Sequence, residues 1–569
     1  MTQLSPETSP LRRLGVVDLA VLAAVLAGIY AVVTVAREWA GHLQPLAEIH
    51  LEARYLPGYL LYSLTRGLLA YGISFVFTLV YGYIMARVTG AERLLLPILD
   101  ILQSIPVLGF LPGLVLGLVH LFPQRNFGLE LASVLMIFTG QVWNMTFSFH
   151  RSLKAVPPDL AIVARLTHLT RWQRFLHLDL SYAATGLVWN SMMSMAGGWF
   201  FLTVSEAFVL GKHDFRLPGL GSYMSVAIER GDGLAQVLGV FTMAVMIVLL
   251  DQLVWRPLLT WSHKFCDEEN PVAPGWWLGS WFWRSRLLHA SFARVRQWFR
   301  RPAPRTPVRE TRVERAFPQG LLRLGRWLLL GGLVVAIGYA VIQFTRLVLQ
   351  LNRDDWFLIL GGTALTFSRV LAAIVLASLW TIPAGVWIGR HPRWSQRLQP
   401  IIQMVASFPA PMVFPVVVGL VLALGGGLGS GSILLLMLGT QWYILFNVIA
   451  GSSAIPRELW EVTRLMKLST TQQWRRLILP AIFPSLLTGW ITAMGGAWNA
   501  SIVAEFMKYQ NRTLLTPGLG SLISQATEQG RFNLLAAAVA TMAVTVVAFN
   551  RLVWKPLGHL AEVRYSLET

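Results

Sequence analysis

The sequence predicts an all-α, polytopic membrane protein made of two tandem, parallel six-helix units, about twelve transmembrane helices in all. Three observations carry that reading. The 569 residues are 55% hydrophobic and 13% charged, with a mean hydropathy of +0.56, whereas a soluble domain carries roughly 25% charged residues. The two halves repeat each other in register. Lys and Arg crowd into alternate connections, as they do in the cytoplasmic loops of membrane proteins.

The apolar segments fall at about 14–37, 58–86, 94–120, 129–150, 182–208 and 234–256, and again at about 324–350, 358–388, 398–424, 431–451, 481–506 and 533–554. Each is long enough to cross a bilayer, which takes about 20 residues as a helix. The first follows Arg12 and Arg13, as a secretory signal would. It is longer than a typical signal core and lacks a small-residue cleavage site, so it reads as a retained helix. Cys266 is the sole cysteine, which excludes an intrachain disulfide and gives no support to cysteine-based metal or thiol-pair chemistry.

The repeat sets a register. Arg66, Gly82, Pro97, Ser104, Pro106 and Pro112 fall on Arg369, Gly385, Pro400, Ser407, Pro409 and Pro415, each 303 positions later. The offset then becomes 299 and holds from Gly140/Gly439 through Trp143/Trp442, Pro157/Pro456, Arg165/Arg464, Trp199/Trp498 and Glu206/Glu505. PGLGS at Pro218 recurs at Pro517, and LVWRPL at Leu253 recurs as LVWKPL at Leu552. Agreement across so many Trp, Pro and Gly positions marks a duplication.

The formal net charge of +19 is concentrated in Arg151–Arg174, Lys264–Arg326, Arg390–Arg397 and Arg457–Arg476. Positive charge retained in cytoplasmic loops explains it without nucleic acid. It also puts the N- and C-termini, the loop between the fourth and fifth segments and the central linker in the cytoplasm. Six segments per unit is an even number, so both units share one orientation. The units are 1–258 and 324–569, joined by a basic linker, 259–323, rich in Trp and Pro. Its cluster Trp276, Trp277, Trp281 and Trp283 reads either as a flexible tether or as a helix at the lipid headgroups.

The loop between the fourth and fifth segments is the most informative. Pro157 and Pro456 suit a helix N-terminus, followed by Asp159 and Glu458, where the helix dipole favours negative charge. A break follows at Leu169 and Leu468, because Thr170–Gln173 and Ser469–Gln472 fit the capping box that starts a new helix. Arg165 and Arg464 lie on the short helix, whose ridge of Leu160, Val163 and Leu166, or Leu459, Val462 and Leu465, calls for a docking partner.

This loop resembles the coupling motif of type I ABC importer permeases: Glu-Ala-Ala, three residues, Gly, nine residues, then Ile-x-Leu-Pro. The second unit aligns Glu461-Val462-Thr463, Lys467 and Leu477-Ile478-Leu479-Pro480 with it; the first aligns Ile162-Val163-Ala164, His168 and Leu178-Asp179-Leu180-Ser181. The motif glycine is thus His168 in one unit and Lys467 in the other, and the first unit lacks the acid and the proline. SLTR at Ser63, WNASIVAEF at Trp498 and the PGLG loops resemble the nitrate/sulfonate/taurine branch, in which a duplicated, fused anion permease is known. The resemblance implies a bacterial-type inner-membrane permease subunit for a small anion of the nitrate, sulfonate, taurine or bicarbonate class. It implies two cytoplasmic ABC ATPase partners, which would hold ATP and Mg, and an extracytoplasmic substrate-binding protein. The chain itself shows no phosphate-loop motif, since Gly425–Ser432 lacks the lysine. No enzyme activity, bound cofactor or metal is expected of it.

Ionisable residues within spans mark function or helix pairing. Arg66 and Arg369, near the outer end of the second segments, and Glu206 and Glu505, near that of the fifth, read either as an anion path or as packing pairs. Ser104 and Ser407 stand beside Pro106 and Pro409, where a proline either exposes backbone to a cavity or merely kinks the helix. Asn499, with Gln141, Asn190 and Gln441, either binds an oxyanion or links helices. A twelve-helix secondary transporter with two parallel repeats is the alternative to an ABC permease, but it does not predict a capped amphipathic helix at the same place in each unit.

Overall fold

The computed structural model describes residues 47–265 and 341–565, apart from 89, 105, 211, 212 and 511, together with Trp39 and a few positions between 331 and 339. The first expected span, 14–37, and most of the linker lie outside the described residues. The chain divides into two compact units, and residues 31–275 with 353–569 are one of them. It holds the second to sixth segments of both repeats.

The first repeat runs α1 (Leu56–Arg87), α2 (Ala91–Ser104), α3 (Leu111–Leu121), α4 (Phe127–Lys154), α5 (Pro158–Leu166), α6 (Leu180–Ser205), the hairpin β1 (Ala207–Leu210) and β2 (His213–Arg216), α7 (Leu220–Arg230) and α8 (Gly233–Leu250). The second runs α9 (Arg353–Arg390), α10 (Pro392–Ala406), α11 (Ala410–Ala423), α12 (Leu428–Ser453), α13 (Arg457–Leu465), α14 (Leu479–Ala504), β3 (Phe506–Tyr509), β4 (Arg512–Leu515), α15 (Leu519–Gln529), α16 (Phe532–Phe549) and α17 (Lys555–Tyr565). With the short helix Arg256–Ser262 as the first repeat's counterpart of α17, the order is the same element for element.

Each repeat is built on three long helices: α1 packs on α4 and α4 on α6, with α9, α12 and α14 as their counterparts. Small residues let them approach. A Cβ on Gly82 would sit 2.8 Å from the Phe149 ring, and one on Gly385 2.7 Å from Val448. The repeated glycine therefore marks the same close crossing in both halves.

Among the described residues, six helical stretches are long and apolar enough to cross a membrane, or seven if one bent pair is a single span. The third segments are broken. In the second repeat α10 and α11 meet at 84° around Pro409. In the first, α2 ends before Pro106 and a 3₁₀ turn, Val107–Phe110, leads into α3. A proline offers no N–H and disfavours helix in the residue before it, so both repeats break where the sequence places Pro106 and Pro409.

Two antiparallel hairpins close the fifth segments, pairing Ala207 with Arg216 and Phe506 with Leu515. They occupy the end of the bundle opposite to α5 and α13, since α6 and α14 run the length between them. The sixth helix of the first repeat continues to Ser262, past the expected unit boundary at 258.

Candidate translocation path and coupling surfaces

At the hairpin end, each repeat wraps a buried glutamate. Glu206 accepts hydrogen bonds from Ser63 Oγ, Arg66 Nη1 and the Gly221 N–H, all at 2.7 Å. Arg66 Nη1 also donates to the Pro218 carbonyl at 2.7 Å. Glu505 repeats the plan with Thr366 Oγ1 at 2.8 Å, Arg369 Nη1 at 2.8 Å and the Gly520 N–H at 2.9 Å. These bonds explain the PGLG motif. A Cβ on Gly219 or Gly518 would collide with the glutamate carboxylate, and one on Gly221 would lie 2.6 Å from the Thr203 carbonyl.

The two clamps differ in charge. Arg66 forms a second, bidentate pair with Glu130 at 2.6 and 2.7 Å, and Arg66, Glu130 and Glu206 are all fully buried. Glu130 falls on Gly429 in the second repeat. There Arg369 turns its second nitrogen to Thr516 Oγ1 at 3.0 Å instead. The arginines and glutamates expected on the path are thus tied to one another, and none of them borders the central cavity.

That cavity, about 160 Å³, lies between the repeats. Its wall pairs equivalent residues from each half: Gly140 with Gly439, Trp143 with Trp442, and Gly197 with Gly496. Polar side chains on it, including Gln103, Asn144, Gln403, Tyr443 and Asn499, are neutral, and no Asp, Glu, Lys or Arg is among the described lining residues. Both proline breaks border it, through Val107 and Pro409. The break exposes backbone: the Val107 N–H donates to Asn499 Oδ1 at 2.7 Å, a bond from one repeat to the other. Ser407, the C-cap residue of α10, instead donates to the Gln403 carbonyl at 2.8 Å, and the Ser104 side chain lies outside the described residues.

At the other end stand the two short helices. α5 starts at Pro158 with Pro157 as its N-cap residue, and α13 at Arg457 with Pro456; Asp159 and Glu458 lie in the first turns and Arg165 and Arg464 in the last. Their apolar ridges face outward, except for Leu459, which is half-buried. Leu166 is 73% and Leu465 82% exposed, and Leu160, Val163 and Val462 are exposed with them. Glu461 is also exposed. The next helix begins with a capping box in each repeat: Thr170 and Gln173 exchange bonds at 3.0 and 3.2 Å, and Ser469 and Gln472 at 3.0 and 3.4 Å.

His168 and Lys467, at the motif's glycine position, adopt φ of 51° and 48°. The left-handed turn that a glycine would make freely is kept by residues that carry a Cβ. π-helical turns follow at Phe175–Asp179 and Trp474–Ile478, and again at Asp251–Trp255 and Asn550–Trp554. Pro480 stands two residues after the second of these, in the first turn of α14.

Sequence reasoning missed the ties that hold these loops. Arg87, at the end of α1, pairs with the fully buried Asp179. Its counterpart Arg390 lies over the Trp460 ring, 4.1 Å from the centroid. An aspartate inside the apolar run Leu178–Leu180 was the available signal.

Comparison with known proteins gives the family. The model described as "Binding-protein-dependent transport system inner membrane component" matches twice, over residues 78–254 and 381–553. A putative ABC transporter permease of Methanocaldococcus jannaschii is 27% identical over 34% of this chain and 69% of its own length. A putative aliphatic sulfonates transport permease of Bacillus subtilis is 27% identical over 38% of this chain and 76% of its own. A nitrate import permease of Leptolyngbya laminosa is 27% identical over 30% of this chain and 62% of its own. With both repeats matched over more than half of its length, the chain belongs to the family of binding-protein-dependent transport system inner membrane components, as an all-α membrane protein carrying the permease domain twice.

Proposed function

We propose that this chain supplies both halves of the membrane pore of an ATP-driven importer for a small anion. The observation that carries the proposal is the pairing of one cavity, built from equivalent residues of both repeats, with two outward-facing amphipathic helices at a single end of the bundle. An apolar ridge such as Leu166 or Leu465 is unfavourable in water until a partner covers it. Two cytoplasmic ABC ATPase subunits, which would carry ATP and Mg, suit the two ridges. The hairpin end would then face outward and receive a substrate-binding protein, with both termini in the cytoplasm.

A neutral wall suits an anion that must leave as readily as it enters. Amide, hydroxyl and indole donors satisfy an oxyanion without the deep trap that an unpaired Arg or Lys would set. Relatives named for sulfonate and nitrate support that substrate class. The test is uptake of labelled nitrate, taurine, bicarbonate and methanesulfonate by proteoliposomes holding the chain with its ATPase and binding protein. The proposal expects ATP-dependent accumulation of at least one of them. Uptake driven by an ion gradient without ATPase would establish a twelve-helix secondary transporter instead.

A further inference from the structure

Three glutamines, Gln396, Gln399 and Gln403, stand three and four residues apart on one face of α10. All three line a second cavity of about 370 Å³, beside Thr185, Gly186 and Trp189 of α6 and on the α5/α13 side of the central cavity. Among the described lining residues, Gln403 alone borders both cavities.

Its carboxamide is uncommitted. Gln403 is 5% exposed, yet its Oε1 has no hydrogen-bond partner in the protein, and its Nε2 has only the Met193 sulfur at 3.6 Å. A thioether is a weak acceptor, so this nitrogen forgoes little by turning elsewhere. Exchanging the amide oxygen and nitrogen leaves the same two surroundings. Asn499, the other second-repeat carboxamide on the central cavity, is engaged at both ends, by the Val107 N–H and the Gly495 carbonyl. The carboxylate on the second cavity's wall, Asp251, is held by Arg256 Nε at 2.7 Å and presents no bare negative charge.

The duplication sharpens the point. Gln403 falls on Asp100 of the first repeat, and Asp100 lies within electrostatic reach of Lys555 and Arg551 in the second repeat. One position therefore holds an exposed acid in one half and a buried carboxamide with a single weak thioether partner in the other. Two copies of a single-repeat chain would carry the same residue on both sides.

We propose that Gln403 is a substrate-contacting residue at the neck between the two cavities, its carboxamide donating to an oxygen of the anion as that anion leaves the central cavity. The inference rests on reading the chain as an anion permease. A site that hydrogen-bonds its substrate discriminates strongly against a form that cannot pair with it. A single donor on one side also ranks anions by the oxygens they present.

The test is ATP-driven uptake of nitrate, bicarbonate, taurine and methanesulfonate by the complete complex, with wild type, Gln403→Leu, Gln403→Glu and Gln403→Asn compared at equal amounts of assembled complex. The expected result is at least a tenfold loss for Gln403→Leu, a deeper loss for the isosteric Gln403→Glu, and partial retention with a changed order of preference for Gln403→Asn. Wild-type rates and wild-type preference in assembled Gln403→Leu and Gln403→Glu complexes would overturn the assignment while leaving the anion reading intact. Failure of the wild type to take up any of the four anions would overturn the anion reading and this inference with it.

Discussion

Arg390 lies over the Trp460 ring at 4.1 Å, whereas its repeat counterpart Arg87 is paired with the buried carboxylate of Asp179. The end of the second long span is thus fastened to its neighbouring loop by a cation–π contact in one half and by an ion pair in the other. The chemistry differs although the place is the same.

That difference predicts unequal costs. Arg87→Ala leaves the fully buried Asp179 with only the longer contact to Arg174 Nε at 3.8 Å, a loss of about 3 kcal/mol. Trp460→Ala removes a contact worth about 0.5–1 kcal/mol at an exposed site. Thermal unfolding of the purified variants in detergent checks this, with the Arg87 variant melting well below the Trp460 variant. Equal melting temperatures would contradict the asymmetry.

His168→Gly and Lys467→Gly are expected to be neutral or stabilising. A left-handed non-glycine residue costs about 1–2 kcal/mol, and the extra chain entropy of glycine takes back about 0.5–1 kcal/mol. A net gain up to about 1.5 kcal/mol should appear as a raised melting temperature. The same change at Thr167, the C-cap residue of α5 with φ of −82°, should lower it.

The glutamate clamps predict folding phenotypes rather than simple transport defects. Arg66→Gln strands Glu130 and Glu206 in a fully buried site, at about 3–5 kcal/mol. Arg369→Gln disturbs one carboxylate at a site 11% exposed and should cost less. Yield and melting temperature are the readouts, and uptake per folded molecule distinguishes clamp from path. Folded Arg66→Gln and Arg369→Gln proteins that cannot transport would restore these arginines to the path.

Gly219→Ala and Gly518→Ala test the close approach of the PGLG loops. Either methyl meets a glutamate carboxylate, so each should lower the melting temperature as clearly as the loss of a clamp hydrogen bond, about 1–3 kcal/mol. A wild-type melting temperature for both would remove the explanation offered for the motif.

Much of this was legible in the sequence because the physics was local or doubled. Pro157 and Pro456 start helices wherever they stand in such a loop, Thr170–Gln173 and Ser469–Gln472 carry their own cap, and the register of Trp, Gly and Pro exposed the duplication. The arginine–glutamate pairing belongs to both readings of these residues, and its geometry depends on long-range contact. Glu130 escaped notice because its counterpart is Gly429, so comparing repeats hides it. The hairpins escaped because residues 207–210 continue the apolar run of the fifth segment, and their pairing depends on closure over Glu206. Asn499 was named as a path residue, but its bond to the Val107 N–H needs a partner 392 positions away.

The central claim is that one chain forms a whole pore and grips its motor through two ridges. Native mass measurement of the complex purified through this chain tests it most directly. The account predicts one copy of the chain with two ATPase subunits, and loss of both subunits in a Leu166→Asp/Leu465→Asp variant that remains folded. Two copies of the chain per complex, or ATPase subunits still bound to that variant, would contradict it.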